Sequence, residues 1–207
     1  MIELYISSLI TFFVVIDPPG CAPIYAGLTA GASPTHSRAM AFRAVLVASG
    51  ILLVFALVGE DLLHGLGIEL ASFRIAGGIM LFLIALEMVF EKRTQRREDR
   101  AAKVAEIPEE AEDVSIFPMA MPMIAGPGSI ASVMLLMSRN DGLERTLVVL
   151  AALATILALT LVALLAAGPI MRLLGAKIEA VITRLLGVLL AALAVQFVID
   201  GVEVALR

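Results

Sequence analysis

The sequence predicts an all-α membrane protein with six transmembrane segments arranged as two inverted three-span repeats. Three observations support this fold class: an apolar composition, six long apolar runs, and motifs that recur in the two halves of the chain. Hydrophobic residues make up 60% of the 207 residues and charged residues 16%, with a mean hydropathy of +1.01. Soluble domains are about 45–50% apolar and about 25% charged, so we expect this chain to lie in a lipid bilayer.

Six apolar runs approach the ~20 residues that a helix needs to cross the hydrocarbon core. They cover residues 4–35, 40–59, 73–90, 114–138, 147–168 and 182–202. The stretch 91–113 is instead dense in charges of both signs and poor in apolar residues. Such a segment cannot bury itself, which predicts a solvated cytoplasmic linker. The predicted organisation is therefore a first repeat over 1–90, the linker over 91–113, and a second repeat over 114–207.

The distribution of Lys and Arg predicts that both termini lie on the outer side. With an outside N-terminus, 11 of the 15 basic residues fall in or beside the inner loops, as the positive-inside rule requires. No Lys or Arg precedes the first apolar run, so we expect a retained span rather than a secretory signal peptide. The net charge of −4 and the lack of a basic patch argue against a nucleic-acid partner.

Two pairs of motifs recur at nearly the same spacing. "IDPPGCAPI" at 16–24 matches "IAGPGSIAS" at 124–132 with an offset of 108 residues, and "FRIAGGIMLFL" at 73–83 resembles "TRLLGVLLAAL" at 183–193 with an offset of 110. Each half then contains three spans. Because three is an odd number, the second half enters the membrane from the side opposite to the first. Inverted repeats of this kind are common in transporters.

The first span of each repeat is predicted to break at its Pro-Gly motif. Asp17 is the only charged residue between 4 and 35, and three prolines that cannot donate backbone hydrogen bonds follow it. Asp17 is well placed to cap a second half-helix, with Pro18 at its first position. In the second motif, Gly126 or Gly128 holds the equivalent place. Non-helical backbone is tolerated at membrane depth only where it is buried in protein or lines a water-filled cavity.

The two breaks are predicted to form one site near the midplane. Each presents a helix N-terminus, and only one carries an acid, which suits the ammonium and carboxylate of a zwitterion. An alternative remains open, in which Asp17 is only a helix cap. The candidate substrate-binding residues are Asp17, Pro18, Gly20, Pro23, Gly126, Pro127, Gly128 and Ser129. Glu87 and Gln196 are further candidates for the cavity, and the sequence offers no catalytic residues and no metal ligands.

The paired "DPPGCAP" and "AGPGSI" motifs, each early in a three-span half, resemble those of the MarC family of bacterial and archaeal membrane proteins. The resemblance covers essentially the whole chain and extends more distantly to the LysE-type exporters. It implies six spans, a location in the plasma (inner) membrane and, for some members, transport of small neutral amino acids such as alanine and glycine.

We therefore expect a secondary transporter for a small neutral amino acid or similar zwitterion, without a cofactor and coupled to H⁺ or Na⁺. Alternatives are an exporter of another small metabolite or drug, or a non-transport scaffold, and a homo-oligomer is compatible with each. An intramembrane thiol enzyme is disfavoured, because Cys21 is the only cysteine and its repeat equivalent is Ser129. We expect no enzymatic activity.

The predicted topology can be tested with reporter fusions. Alkaline phosphatase fused at the C-terminus should be active and the same fusion within 91–113 inactive, because phosphatase folds only outside the cytoplasm. Green fluorescent protein fusions should give the reverse pattern. A C-terminus found in the cytoplasm would contradict the predicted orientation.

Overall fold

The computed structural model describes residues 1–90, 98–99, 113–140 and 142–206, which are helical with short connections and contain no strand. Most of the linker predicted at 91–113 lies outside these residues. The helices are α1 (Ile2–Ile16), α2 (Pro18–Leu28), α3 (Pro34–Gly65), α4 (Leu70–Val89), α5 (Ser115–Ile124), α6 (Pro127–Ser138), α7 (Leu143–Leu165) and α8 (Ala167–Ala205).

The prediction of an all-helical membrane protein is confirmed. Within the described residues, five candidate spans are long and apolar enough to cross a bilayer, with α1 and α2 taken together as one. The number rises to six if α5 and α6, which meet at an angle of 51°, form a single span. These candidates fall in the same order as the six apolar runs of the sequence.

Helix α3 contains the predicted span of residues 40–59 and extends beyond it at both ends. It begins at Pro34 rather than residue 40, because Ser33 Oγ accepts a hydrogen bond from the His36 amide at 3.3 Å and proline occupies the first helical position. It continues to Gly65, shortly before Gly67, whose φ is 69°. Hydropathy detects the apolar centre of a helix, whereas capping determines its ends.

Segment α5 departs from the regular half-helix that the sequence predicted. The Met119 and Ala125 amides donate to carbonyls five residues back, at 3.2 and 2.9 Å. Phe117 and Met121 have extended backbone angles. Each of these two residues precedes a proline, which lacks a donor and disfavours helical geometry in the residue before it.

Helices α4 and α8 pack closely along their lengths. A methyl group on Gly78 of α4 would lie 2.8 Å from the Ala194 carbonyl oxygen, and one on Gly187 of α8 would lie 3.1 Å from the Ala85 carbonyl oxygen. Glycine therefore lets the two backbones approach each other, as is common between membrane helices. These helices are the third spans of the two predicted repeats.

Most of the remaining helix contacts also join one half of the chain to the other. Helix α7 packs against α1 and α2, and α3 packs against α5 and α6. Helix α2 contacts α8, and α6 contacts α4. Each interrupted span therefore packs on the second and third spans of the opposite half, so neither half buries its apolar surface alone.

The α4–α8 contact predicts different effects for two glycine-to-alanine changes. Gly78→Ala should lower the free energy of unfolding by about 1–3 kcal/mol, because its methyl group meets backbone. Gly50→Ala, where the added methyl has open space, should be neutral or stabilise by up to about 1 kcal/mol. A thiol-reactive dye that reports exposure of the buried Cys21 on heating would measure both. Equal midpoints would contradict the close contact.

Candidate functional site

Asp17 occupies a left-handed turn between α1 and α2. Its backbone has φ 60° and ψ 64°, and its amide donates to the Phe13 carbonyl oxygen at 3.0 Å. Its carboxylate Oδ1 accepts a hydrogen bond from the Gly20 amide at 3.1 Å, and Pro18 opens α2. The N-cap role predicted for Asp17 is therefore confirmed. Asp and Asn are among the few residues other than glycine that readily adopt this backbone conformation.

The Asp17 carboxylate folds back over the first turn of α2. A methyl group on Gly20 would lie 2.3 Å from Asp17 Oδ2, so a larger residue there would displace the carboxylate from this position. Asp17 is only 2% exposed, and Pro18 and Gly20 are also buried. Pro23 is half-buried within α2. In this conformation the carboxylate is closed off from bulk solvent.

The second interruption lies between α5 and α6. Gly126 is the N-cap of α6, Pro127 opens the helix, and no side chain caps it. The Ile130 amide donates to the Gly126 carbonyl oxygen at 3.0 Å, as the first intrahelical bond. Helix geometry therefore leaves the amides of Gly128 and Ser129 without an intrahelical acceptor. Gly126, Gly128 and Ser129 are buried, whereas Pro127 is exposed.

The structure brings the two interruptions close together. A methyl group on Gly128 would lie 3.4 Å from Val15 Cγ1 and 2.5 Å from Ile84 Cδ1. Val15 is two residues before Asp17, and Gly128 lies in the first turn of α6. The buried carboxylate and the uncapped helix start therefore belong to one region of the core, where α1 packs against α6.

Glu87 and Gln196 differ in their surroundings. Glu87 is half-buried near the end of α4, beside the stretch that packs on α8. Gln196 is exposed, and its Nε2 donates to Asp200 Oδ1 at 2.7 Å. A spacing of four residues places both groups on one helix face. Gln196 thus forms a local pair, and its place in the cavity stays a prediction.

The sequence did not predict a charged cluster where α6 ends. Arg139 forms an ion pair with Asp200 of α8, and its guanidinium carbon lies 4.7 Å from the centre of the Phe197 ring. Arg74 Nη2 donates to the Ser138 carbonyl oxygen at 2.9 Å. Burial and the neighbouring charge of Arg74 lower the pKa of Arg139, but a guanidinium remains protonated at physiological pH. These contacts tie the end of α6 to α4 and α8.

Similar proteins cover nearly the whole chain. The family model described as "MarC family integral membrane protein" matches residues 2–206. A UPF0056 membrane protein of Methanocaldococcus jannaschii is 34% identical over 205 residues, which is 99% of this chain and 98% of the relative. The UPF0056 inner membrane protein YhgN of Escherichia coli is 32% identical over 202 residues, which is 98% of each chain. No solved structure matches the chain significantly.

The geometry of Asp17 predicts a ranking of substitutions by stability. Asp17→Asn should change the free energy of unfolding by less than about 0.5 kcal/mol, because asparagine caps equally well and tolerates the turn. Asp17→Gly keeps the backbone conformation and should lower the free energy of unfolding by only about 0.3 kcal/mol. Asp17→Ala loses the cap and adds left-handed strain, for a total of about 2 kcal/mol.

Thermal unfolding in detergent, followed by circular dichroism at the helical band, would measure this series. An alanine variant as stable as the asparagine variant would contradict the described turn.

Proposed function

Since this chain belongs to the MarC family of integral membrane proteins, we propose that it is a secondary transporter for a small neutral amino acid or similar small zwitterion. The observation that carries this proposal is the Asp17 carboxylate, 2% exposed at an interruption of the first span, close to an uncapped helix start from the other half. The name of the E. coli relative, an inner membrane protein, supports the plasma membrane as the location.

Capping alone does not account for an acid at position 17. A charged side chain within a span costs about 2.5–3.5 kcal/mol on insertion scales, whereas an N-cap contributes about 1 kcal/mol. Asparagine would supply the cap without the charge. We propose that an acid stands at this position because its carboxylate binds the ammonium group of the substrate.

The second interruption supplies the complementary charge. The start of α6 carries the positive end of the helix dipole, and it presents the Gly128 and Ser129 amides. Ala125 stands at the position that matches Asp17, and the first turn of α6 contains no acidic residue. We propose that the substrate carboxylate binds these amides while its ammonium approaches Asp17.

The proposed transport cycle rests on two discontinuous spans in inverted repeats. The pairing of each interrupted span with the opposite half supports such a relationship, because a pseudo-two-fold axis in the membrane plane exchanges the halves. Asp17 is closed off in this conformation, so substrate access requires one group of helices to move relative to the other. We further propose that both termini lie outside, that H⁺ or Na⁺ drives transport, and that the chain catalyses no chemical reaction.

The central test is counterflow in proteoliposomes with labelled glycine and alanine. Asp17→Asn should insert and fold normally but reduce counterflow at least about tenfold, the equivalent of about 1.4 kcal/mol. Asp61→Asn, which removes an exposed acid of α3, is the matched control and should transport like the wild type. An Asp17→Asn protein with the wild-type rate would leave Asp17 as a cap only. A wild-type protein inactive towards both amino acids would contradict the proposed substrate class.

A further inference from the structure

A cavity of about 260 Å³ lies between the last turns of α3 and the first turns of α7. Leu70 at the start of α4 and residues near the end of α6 complete its wall. None of the residues predicted to bind substrate lines it. Its volume is slightly below the range of about 300–1,000 Å³ usual for ligand pockets, which favours a small molecule.

Among the described residues that line this cavity, one carries a charged side chain, Glu60. The polar residues beside it are Ser138, Asn140 and Thr146. The Asn140 Nδ2 donates to the Leu136 carbonyl oxygen at 2.8 Å, which holds that amide in place. Much of the remaining wall is apolar and includes Phe55. A small apolar pocket with a few convergent polar groups is the usual form of a ligand site.

Two arginines near the end of α6 have partners of their own. Arg139 pairs with Asp200 and lies over Phe197, both on α8, and no described side chain of α8 lines the cavity. Arg74 donates to the carbonyl oxygen of Ser138. The carboxylate of Glu60 therefore sets the charge that a ligand meets within the described lining.

We propose that this cavity is a second binding site, which takes small molecules carrying an ammonium group, with Glu60 as the charge partner. Asn140 and Thr146 supply hydrogen bonds, and the apolar wall accepts the rest of the molecule. This second site is inferred from the residues that line the cavity, and it does not depend on whether Asp17 binds a transported substrate.

Cysteine labelling tests this site without a transport assay. Cys21 is the only cysteine and is buried, so Cys21→Ser gives a cysteine-free background. Thr146→Cys places one thiol in the cavity wall, and Leu143→Cys places one at an exposed position on the same end of α7. The measured quantity is the ratio of modification rates by a trimethylammonium and a sulfonate methanethiosulfonate.

Glu60→Gln should lower this cation-to-anion ratio at position 146 by about threefold or more, because one nearby unit charge is removed. Asn140→Asp, which adds a carboxylate, should raise it by a similar factor. Asp61→Asn should leave it unchanged, since that neighbouring acid does not line the cavity. An Asp61→Asn effect equal to that of Glu60→Gln would overturn the proposal, as would a ratio insensitive to both Glu60→Gln and Asn140→Asp.

Ligand protection provides the second measurement. Millimolar ethylammonium or L-alanine should slow labelling at position 146 but not at position 143, and sodium acetate at matched ionic strength should protect neither. Protection should disappear in Glu60→Gln, while circular dichroism shows the same helicity as the parent. Labelling at 146 that is indifferent to ethylammonium and alanine would overturn the site.

Discussion

The hydrogen bond from the Gly20 amide to Asp17 Oδ1 caps the second helix of the interrupted first span. Much of the packing around this turn follows from the interruption. Backbone groups inside a bilayer need protein partners or water. The left-handed turn at Asp17 ends α1. The first backbone amides of α2 then lack a helical acceptor, and the Asp17 side chain accepts from one of them. The turn is then buried by the other half of the chain, where Gly128 of α6 lies against Val15.

The two halves use related backbone for different chemical purposes. Gly20 and Gly128 stand at matching repeat positions, but Gly20 makes room for the Asp17 carboxylate and Gly128 makes room for Val15 and Ile84. One helix start is capped by an acid, and the other has no side-chain cap. A symmetric arrangement would offer two like-charged ends. The observed one offers a carboxylate at the start of α2 and a set of backbone amides at the start of α6.

Helix α6 connects the regions to which we assign function. Its first turn adjoins the interruption, Met134 and Ser138 line the cavity, and the residue after it, Arg139, pairs with Asp200. Met134 packs closely against Gly59 of α3, because a methyl group on Gly59 would lie 2.8 Å from Met134 Cγ. A displacement of α6 would therefore alter the interruption, the cavity and the ion pair together, which makes it the element through which the proposed sites would communicate.

The sequence by itself determined the membrane class, the order of the spans and the cap at Asp17. These features depend on local properties: an apolar run long enough to cross a bilayer, and a short polar side chain followed by proline. The sequence also predicted Gly126 as one of two choices for the cap of α6, because Pro127 follows it. The ends of α3 were missed because they depend on Ser33 and Gly67, which lie beyond the apolar run.

Only the tertiary structure decided which distant groups meet. Arg139 directly follows α6 and Asp200 lies in α8, 61 positions later, and each alone resembles a charge at the end of a span. Gln196, which the sequence offered as a cavity candidate, donates to Asp200 one turn later in α8. The cavity at Glu60 is assembled from four helices, so no local pattern could reveal it. Periodicity and capping act within about one turn, whereas contacts between spans depend on how close their backbones approach, and that is determined by packing.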